Sequence, residues 1–196
     1  RGDASQWPNV LSTVDRANEK YADSEDEIIR KTLGHIDLVK ATAIEKRGLE
    51  SDEQMEDLVV SLKRIVVNDA APMDARTLAQ LKIGHLYYGA GKFDNALTEY
   101  QTFVQIFPDA GELVTNALYQ TAVCHYQQAE AATDEGTKQL AYQNAANTAT
   151  KVIERNPEVN DLISASYTLG LARLGVNDSK GAVDAFRQTT SYEGQT

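Results

Sequence analysis

Apolar residues recur along this chain at three- and four-residue intervals, and the runs are broken only by short polar turns. The pattern predicts helix after helix and no strand. Trp7-Pro8 opens a first helix, with proline at an early position where its missing N–H goes unused. Val10, Val14, Ala17 and Tyr21 follow at helical spacing. Ser24-x-x-Glu27 reads as a capping box that starts a second helix, faced by Ile29, Leu33, Ile36 and Ala43 and ended by Arg47-Gly48. Ser51-x-x-Gln54 reads as another box. Behind it Met55, Leu58, Val59, Leu62, Ile65 and Val66 form a clean stripe. Ala70-Ala71-Pro72 breaks that helix, and Asp74 is the expected cap of the next.

From residue 75 the spacing tightens into repeats. Helices are expected over roughly 75–90 and 93–106, with Gly91 and Phe93 at the turn. Phe93, Ala96, Leu97, Tyr100, Phe103, Val104 and Phe107 face one side of the second. The next unit starts at Asn116, with Ala122 in the slot of Gly84 and His125 in the slot of Tyr87. Its second helix carries Tyr142, Ala145, Ala149 and Pro157 where the previous unit has Phe93, Ala96, Tyr100 and Pro108. About eleven extra residues, 130–140, lengthen this hairpin, and Asp134-Glu135-Gly136 is the expected tip. The last unit sets Leu169-Gly170, Ala182 and Phe186 in register.

Small residues at Gly84, Ala96, Ala122, Ala145, Gly170 and Ala182 let paired helices approach closely. Tyr87, Tyr100, Phe103 and Phe186 fill the space beside each crossing. One hairpin cannot bury its own face, so such units must stack. Residues 8–70 repeat the logic more loosely, with Leu33-Gly34 in the small-residue slot. The expected fold is all-α: a right-handed superhelix of antiparallel helix-turn-helix repeats, about four of them after an N-terminal half-repeat. It is read as a single array over 1–196, with degenerate repeats at 8–70, clear ones at 75–192 and the insertion at 130–140. Such an array starts in mid-unit and stops after a second helix, which suggests a fragment of a longer array or an end covered by another molecule.

The stretch from Leu78 to Pro108 resembles the tetratricopeptide repeat. Ile83-Gly84, Tyr87, Gly91, Phe93, Ala96, Tyr100 and Pro108 carry the resemblance. The junctions Phe107-Pro108-Asp109-Ala110 and Asn156-Pro157-Glu158-Val159, and the 38-residue step from Gly84 to Ala122, resemble tetratricopeptide proteins of the bacterial cell envelope. Those are the lipoprotein of the outer-membrane barrel-assembly machinery and the periplasmic partner of the Tol-Pal system. The resemblance implies a scaffold that binds a protein or peptide in a concave groove, in a bacterial periplasm or envelope, with no catalytic residues and no cofactor; a cytoplasmic protein is the alternative. It also implies groove-facing residues three before, one after and four after each small-residue slot. These are Lys31, His35 and Leu38; Leu81, His85 and Tyr88; Tyr119, Val123 and Tyr126; Tyr167, Leu171 and Leu174. Four of the nine tyrosines fall in this set, and tyrosine joins a large contact area to a polar tip. The rival expectation is a structural spacer that self-associates through uncapped ends.

Charge and chemistry narrow the partners. Net charge is −10, with −5 in residues 1–70 (15 acidic, 10 basic) and −5 in 71–196 (14 acidic, 9 basic). No basic stripe exists to meet nucleic acid or an anionic membrane. Apolar runs stop short of the ~18 residues that span a bilayer, so no direct membrane insertion is expected. Cys124 is the single cysteine. No signal peptide is visible, and Arg1 in place of an initiator methionine suggests that an upstream segment, with any targeting signal or anchor, has been removed. His35 and His85 sit one unit apart, but no His-x3-His or Cys-x2-Cys spacing signals a metal. Nucleophile elbows, phosphate loops and zinc-protease motifs are missing. Glu25, Asp26, Glu27, Asp52 and Glu53 stand in first helical turns, where the helix dipole favours them. A basic clamp for acidic C-termini fails as well. Lys31 fits one slot, His35 replaces the needed asparagine, and Asn116, Gln120, Ser164 and Thr168 supply no cations. Arg1-Gly2-Asp3 at the chain's start carries no weight as an adhesion motif.

Overall fold

The computed structural model describes residues 7–47, 49, 51–155 and 158–193. Nine helices and no strand occur among them: α1 (Trp7–Tyr21), α2 (Glu27–Arg47), α3 (Asp52–Val67), α4 (Met73–Gly89), α5 (Phe93–Ile106), α6 (Glu112–Ala131), α7 (Glu135–Glu154), α8 (Val159–Gly175) and α9 (Ser179–Glu193). The chain divides into two compact units, residues 1–86 and 87–196, with the boundary inside α4.

In the first unit α1 packs on α2, and α2 on α3. The predicted α3 stripe is buried throughout, from Met55 to Val66. Ala41, Ala43 and Ile44 of α2 and Val14 of α1 are buried in the same unit. Two expectations for this region need correction. The buried face of α2 is not Ile29-Leu33-Ile36, which are only half-buried. It runs through Asp37, Lys40, Ala41 and Ile44. On α1, Asn18 is buried, while Tyr21 lies exposed with the Lys20 ammonium over its ring. These polar residues turn inward because they satisfy one another. Asn18 Nδ2 donates to Asp37 Oδ1 at 2.7 Å, and Lys40 Nζ bonds Asp15. A hydrophobic count cannot anticipate a face built from such pairs.

The helix caps also differ in part. Ser51 caps α3 as expected, accepting from the Gln54 N–H at 3.3 Å. For α2 the cap is Asp26, not Ser24. Its Oδ1 accepts from the N–H groups of Ile28 (2.8 Å) and Ile29 (3.1 Å), while the Ser24 hydroxyl accepts only from Asp26 N–H. A carboxylate two residues nearer the helix outcompetes a hydroxyl, since the helix N-terminus carries partial positive charge. Asp74 lies inside the first turn of α4, because the Pro72 carbonyl already accepts from Arg76 N–H. Arg76 Nε reaches back to the Val66 carbonyl at 2.9 Å and fastens the start of α4 to the end of α3. Gly48, expected to end α2, lies outside the described residues.

In the second unit consecutive helices α5 to α9 pack side by side, and α6 also touches α8. That is the stacking of helical hairpins. The expected small residues Ala96, Ala122, Ala145, Gly170 and Ala182 are all buried, as are Tyr100 and Phe103. Ala122, Ala145, Ala146, Ala149, Leu169, Ala172 and Ala185 form one cluster, closed by Tyr126 and Ile153. Alanine dominates because only small side chains allow so many helix surfaces to meet at native density.

Two hairpin turns use the same device. After α4, Gly91 at φ 71° donates to the Tyr88 carbonyl and Lys92 to the Tyr87 carbonyl. After α8, Asn177 at φ 62° donates to Leu174 and Asp178 to Arg173. Both are Schellman caps, where glycine or asparagine tolerates the left-handed residue. The extra residues between α6 and α7 do not form a long loop. They extend both helices to 20 residues and leave a short turn that Asp134 closes as the cap of α7, accepting from Thr137 N–H at 2.7 Å. Glu135 and Gly136 are therefore helical, not at the tip.

Candidate binding face

The expected groove residues stand on α2, α4, α6 and α8. In the first unit Lys31 and His35 are exposed on α2, one turn apart. Lys31 pairs with Glu27 at 2.7 Å, and His35 Nδ1 donates to the Lys31 carbonyl at 2.8 Å. Leu38 of α2 and His85 of α4 are exposed too. Leu81 is not; it is 6% exposed and belongs to the core, so the register rule fails there. The apolar side chain one turn before Gly84 joins Ala79 and Ile83 inside the first unit.

In the second unit Tyr88, Tyr119, Tyr126 and Tyr167 face neither solvent alone nor core alone. The first three are half-buried, while Tyr167 is 53% exposed. Each of three rings leans on an aromatic partner from the second helix of a hairpin. Tyr88 and Phe93 have centroids 5.5 Å apart, Tyr126 and Tyr142 5.9 Å, and Tyr167 and Phe186 5.7 Å, all tilted. Phe93 and Tyr142 are repeat-equivalent positions, so the first two pairs are the same contact made twice. Such packing immobilises a ring on one side and leaves its other side to a partner. Burial raises the phenols of Tyr88 and Tyr126 above their ordinary range, with Tyr119 contributing to the first and Glu130 and Tyr167 to the second. Those influences place Tyr119 near Tyr88, and Tyr167 near Tyr126. Tyr88 and Tyr126 therefore stay neutral donors and acceptors near neutral pH.

The cavities of this unit lie elsewhere, a feature the repeat register does not foretell. Two open cavities of about 520 and 500 Å³ share His125 and Asn144. They run along α6 with α5 as one wall and α7 as the other. At their junction His125 Nδ1 lies 3.0 Å from Gln128 Oε1, and Gln128 Nε2 donates to Asp94 Oδ1 at 2.6 Å. Since the Gln128 amide gives its N–H to Asp94, its oxygen must accept from His125. That assignment leaves Nε2 of the imidazole as an acceptor. Burial depresses the proton affinity of His125, although the Gln128 contact opposes it. The sequence does hold a signal for these walls: Gln101 and Gln105 four apart on α5, and Asn144, Asn147 and Thr148 on one face of α7.

Cys124 is buried and its thiol is pushed up to about 12, the direction opposite to a reactive cysteine. Among the described residues no three His, Cys, Asp or Glu side chains could hold a metal ion. No described helix is long and apolar enough to cross a membrane.

The hairpins define an all-α repeat solenoid. Residues 78–110 match the Tetratricopeptide repeat family. No curated protein matches the chain in sequence. Two crystal structures of MamA are similar in fold. One is 17% identical over 97% of this chain and 91% of its own, with a TM-score of 0.59. The other is 17% identical over 98% and 94%, with a TM-score of 0.60. Repeats of this family are in general protein-interaction folds.

Proposed function

We propose that the tyrosine-bearing face of α6 and α8 receives a peptide segment of a partner protein. The observation that carries this reading is Tyr167, half exposed yet braced against Phe186. Tyr119 and Tyr126 sit on the neighbouring first helix of the preceding hairpin. A rigid aromatic with little freedom left to lose is what interface anchors have in common. Val123, Leu171 and Leu174 occupy the slots between the tyrosines and supply apolar surface.

The reading is tested with peptides selected from a random displayed library against the full chain. Tyr119→Ala with Tyr167→Ala weakens the selected peptides by at least about thirtyfold, the scale of an anchor worth ~2 kcal/mol. Equal binding by the folded double variant removes the assignment. The resemblance to cell-envelope repeat proteins further supports a place in a bacterial envelope; recovery of the native protein in the cytosolic fraction of its source cells would contradict it.

A further inference from the structure

We propose that the trench between α5 and α7 is a second docking site, separate from the tyrosine face, and that it takes an extended, uncharged polypeptide segment by its main chain. The trench follows α6 from Leu118 to Ala132, about 21 Å at 1.5 Å per residue. That length fits roughly six residues of extended chain at ~3.3 Å each.

The lining selects the ligand. Asn95, Gln101 and Gln105 on α5 face Asn144 and Asn147 on α7 across the trench. None of these five amides bonds to another described side chain or carbonyl. Each offers a donor and an acceptor together, the same pair that a peptide unit presents. His125 adds an acceptor at the floor. Val104, Leu118, Leu140 and Ala141 give apolar ground between the polar groups.

Charge argues against other occupants. Lys92 and Asp94 line one end and Lys151 the other, and Asp94 is already held by Gln128. A polyanion would find too few cations along the way. An oligosaccharide would need an open aromatic face for stacking, and Phe93 is half-buried against Tyr88. The two hydrogen-bonding walls come from different repeats, so the site exists only when two hairpins are stacked.

The test uses the full chain and a library of acetylated, amidated, uncharged hexapeptides, read by fluorescence anisotropy. The tightest binder loses about tenfold in affinity on Gln101→Ala with Asn144→Ala, since two lost hydrogen bonds of ordinary strength amount to that. Tyr119→Ala with Tyr167→Ala leaves it unchanged. Gln105→Lys with Asn147→Lys, both at exposed positions, gives the same loss if the first pair fails to fold. Three results overturn the proposal: no hexapeptide binds, binding is lost only on the tyrosine face, or a neutral oligosaccharide of six units competes for the trench with higher affinity than any peptide. Loss of library-peptide binding at the tyrosines alone leaves the trench untouched, so the two readings fail separately.

Discussion

A Cβ placed on Gly170 of α8 would lie 2.4 Å from Cε1 of Phe186 on α9. Non-bonded carbon atoms do not approach so closely, so the ring occupies the volume that any larger residue would need. Gly170→Ala should therefore destabilise the protein. Overpacking costs about 1–3 kcal/mol, against a helix-propensity gain of at most ~1 kcal/mol. Gly89, near the end of α4, is the control. Nothing lies within 4 Å of its added Cβ, so Gly89→Ala should be neutral or stabilising by up to about 1 kcal/mol. Urea unfolding of both variants checks the contrast.

The competition at the start of α2 gives a second expectation. Asp26→Ala removes the acceptor for two helix N–H groups and should cost about 1 kcal/mol. Ser24→Ala should stay within ~0.5 kcal/mol, as surface changes usually do. Ser51→Ala should behave like Asp26→Ala, because Ser51 is the working cap of α3. Equal losses at Ser24 and Asp26 in thermal melts would restore the capping box that the sequence suggests.

Asp37 makes the first unit sensitive to acid in an unusual direction. Burial raises its carboxyl above the ordinary 3.8, and the Asn18 amide, Arg64 and Lys40 only partly oppose this. With the folded-state value above the unfolded one, the charged form disfavours folding. This group's contribution therefore grows as pH falls from neutrality through the folded value, and it is complete below the unfolded value. Asp37→Asn should abolish that component. The stability difference between variant and parent should change across this interval and level off below it; a constant difference would show that Asp37 does not titrate in this way.

Cys124 reports on the second unit. Its thiol is buried and pushed up to about 12, so little thiolate forms at pH 8. Modification by a maleimide should run at least about a hundredfold slower than in denaturant, because thiolate and access are both scarce. Rapid labelling of the folded protein would show that α6 opens readily.

Much of this was legible from local spacing. The α3 stripe, Tyr100 and Phe103 of the α5 stripe, and the buried alanines at 96, 122 and 145 each follow from helical periodicity, which is a property of neighbouring residues. The inward face of α2 was not legible, because Asp37 and Lys40 are buried with partners on α1, 19 and 25 residues away. Leu81 shows the same limit. Its slot marks it for the groove, yet the core of the first unit claims it.

The order of helices and the small residues at their crossings are therefore set by the chain itself, since periodicity and side-chain size act over a few residues. Tertiary structure alone decided which face of α2 turns inward and how far each tyrosine is covered. It also decided that amides from α5 and α7, some forty residues apart in sequence, line one trench. Those outcomes depend on which surfaces compete for the same space and the same hydrogen bonds, and only the packed helices bring the competitors together.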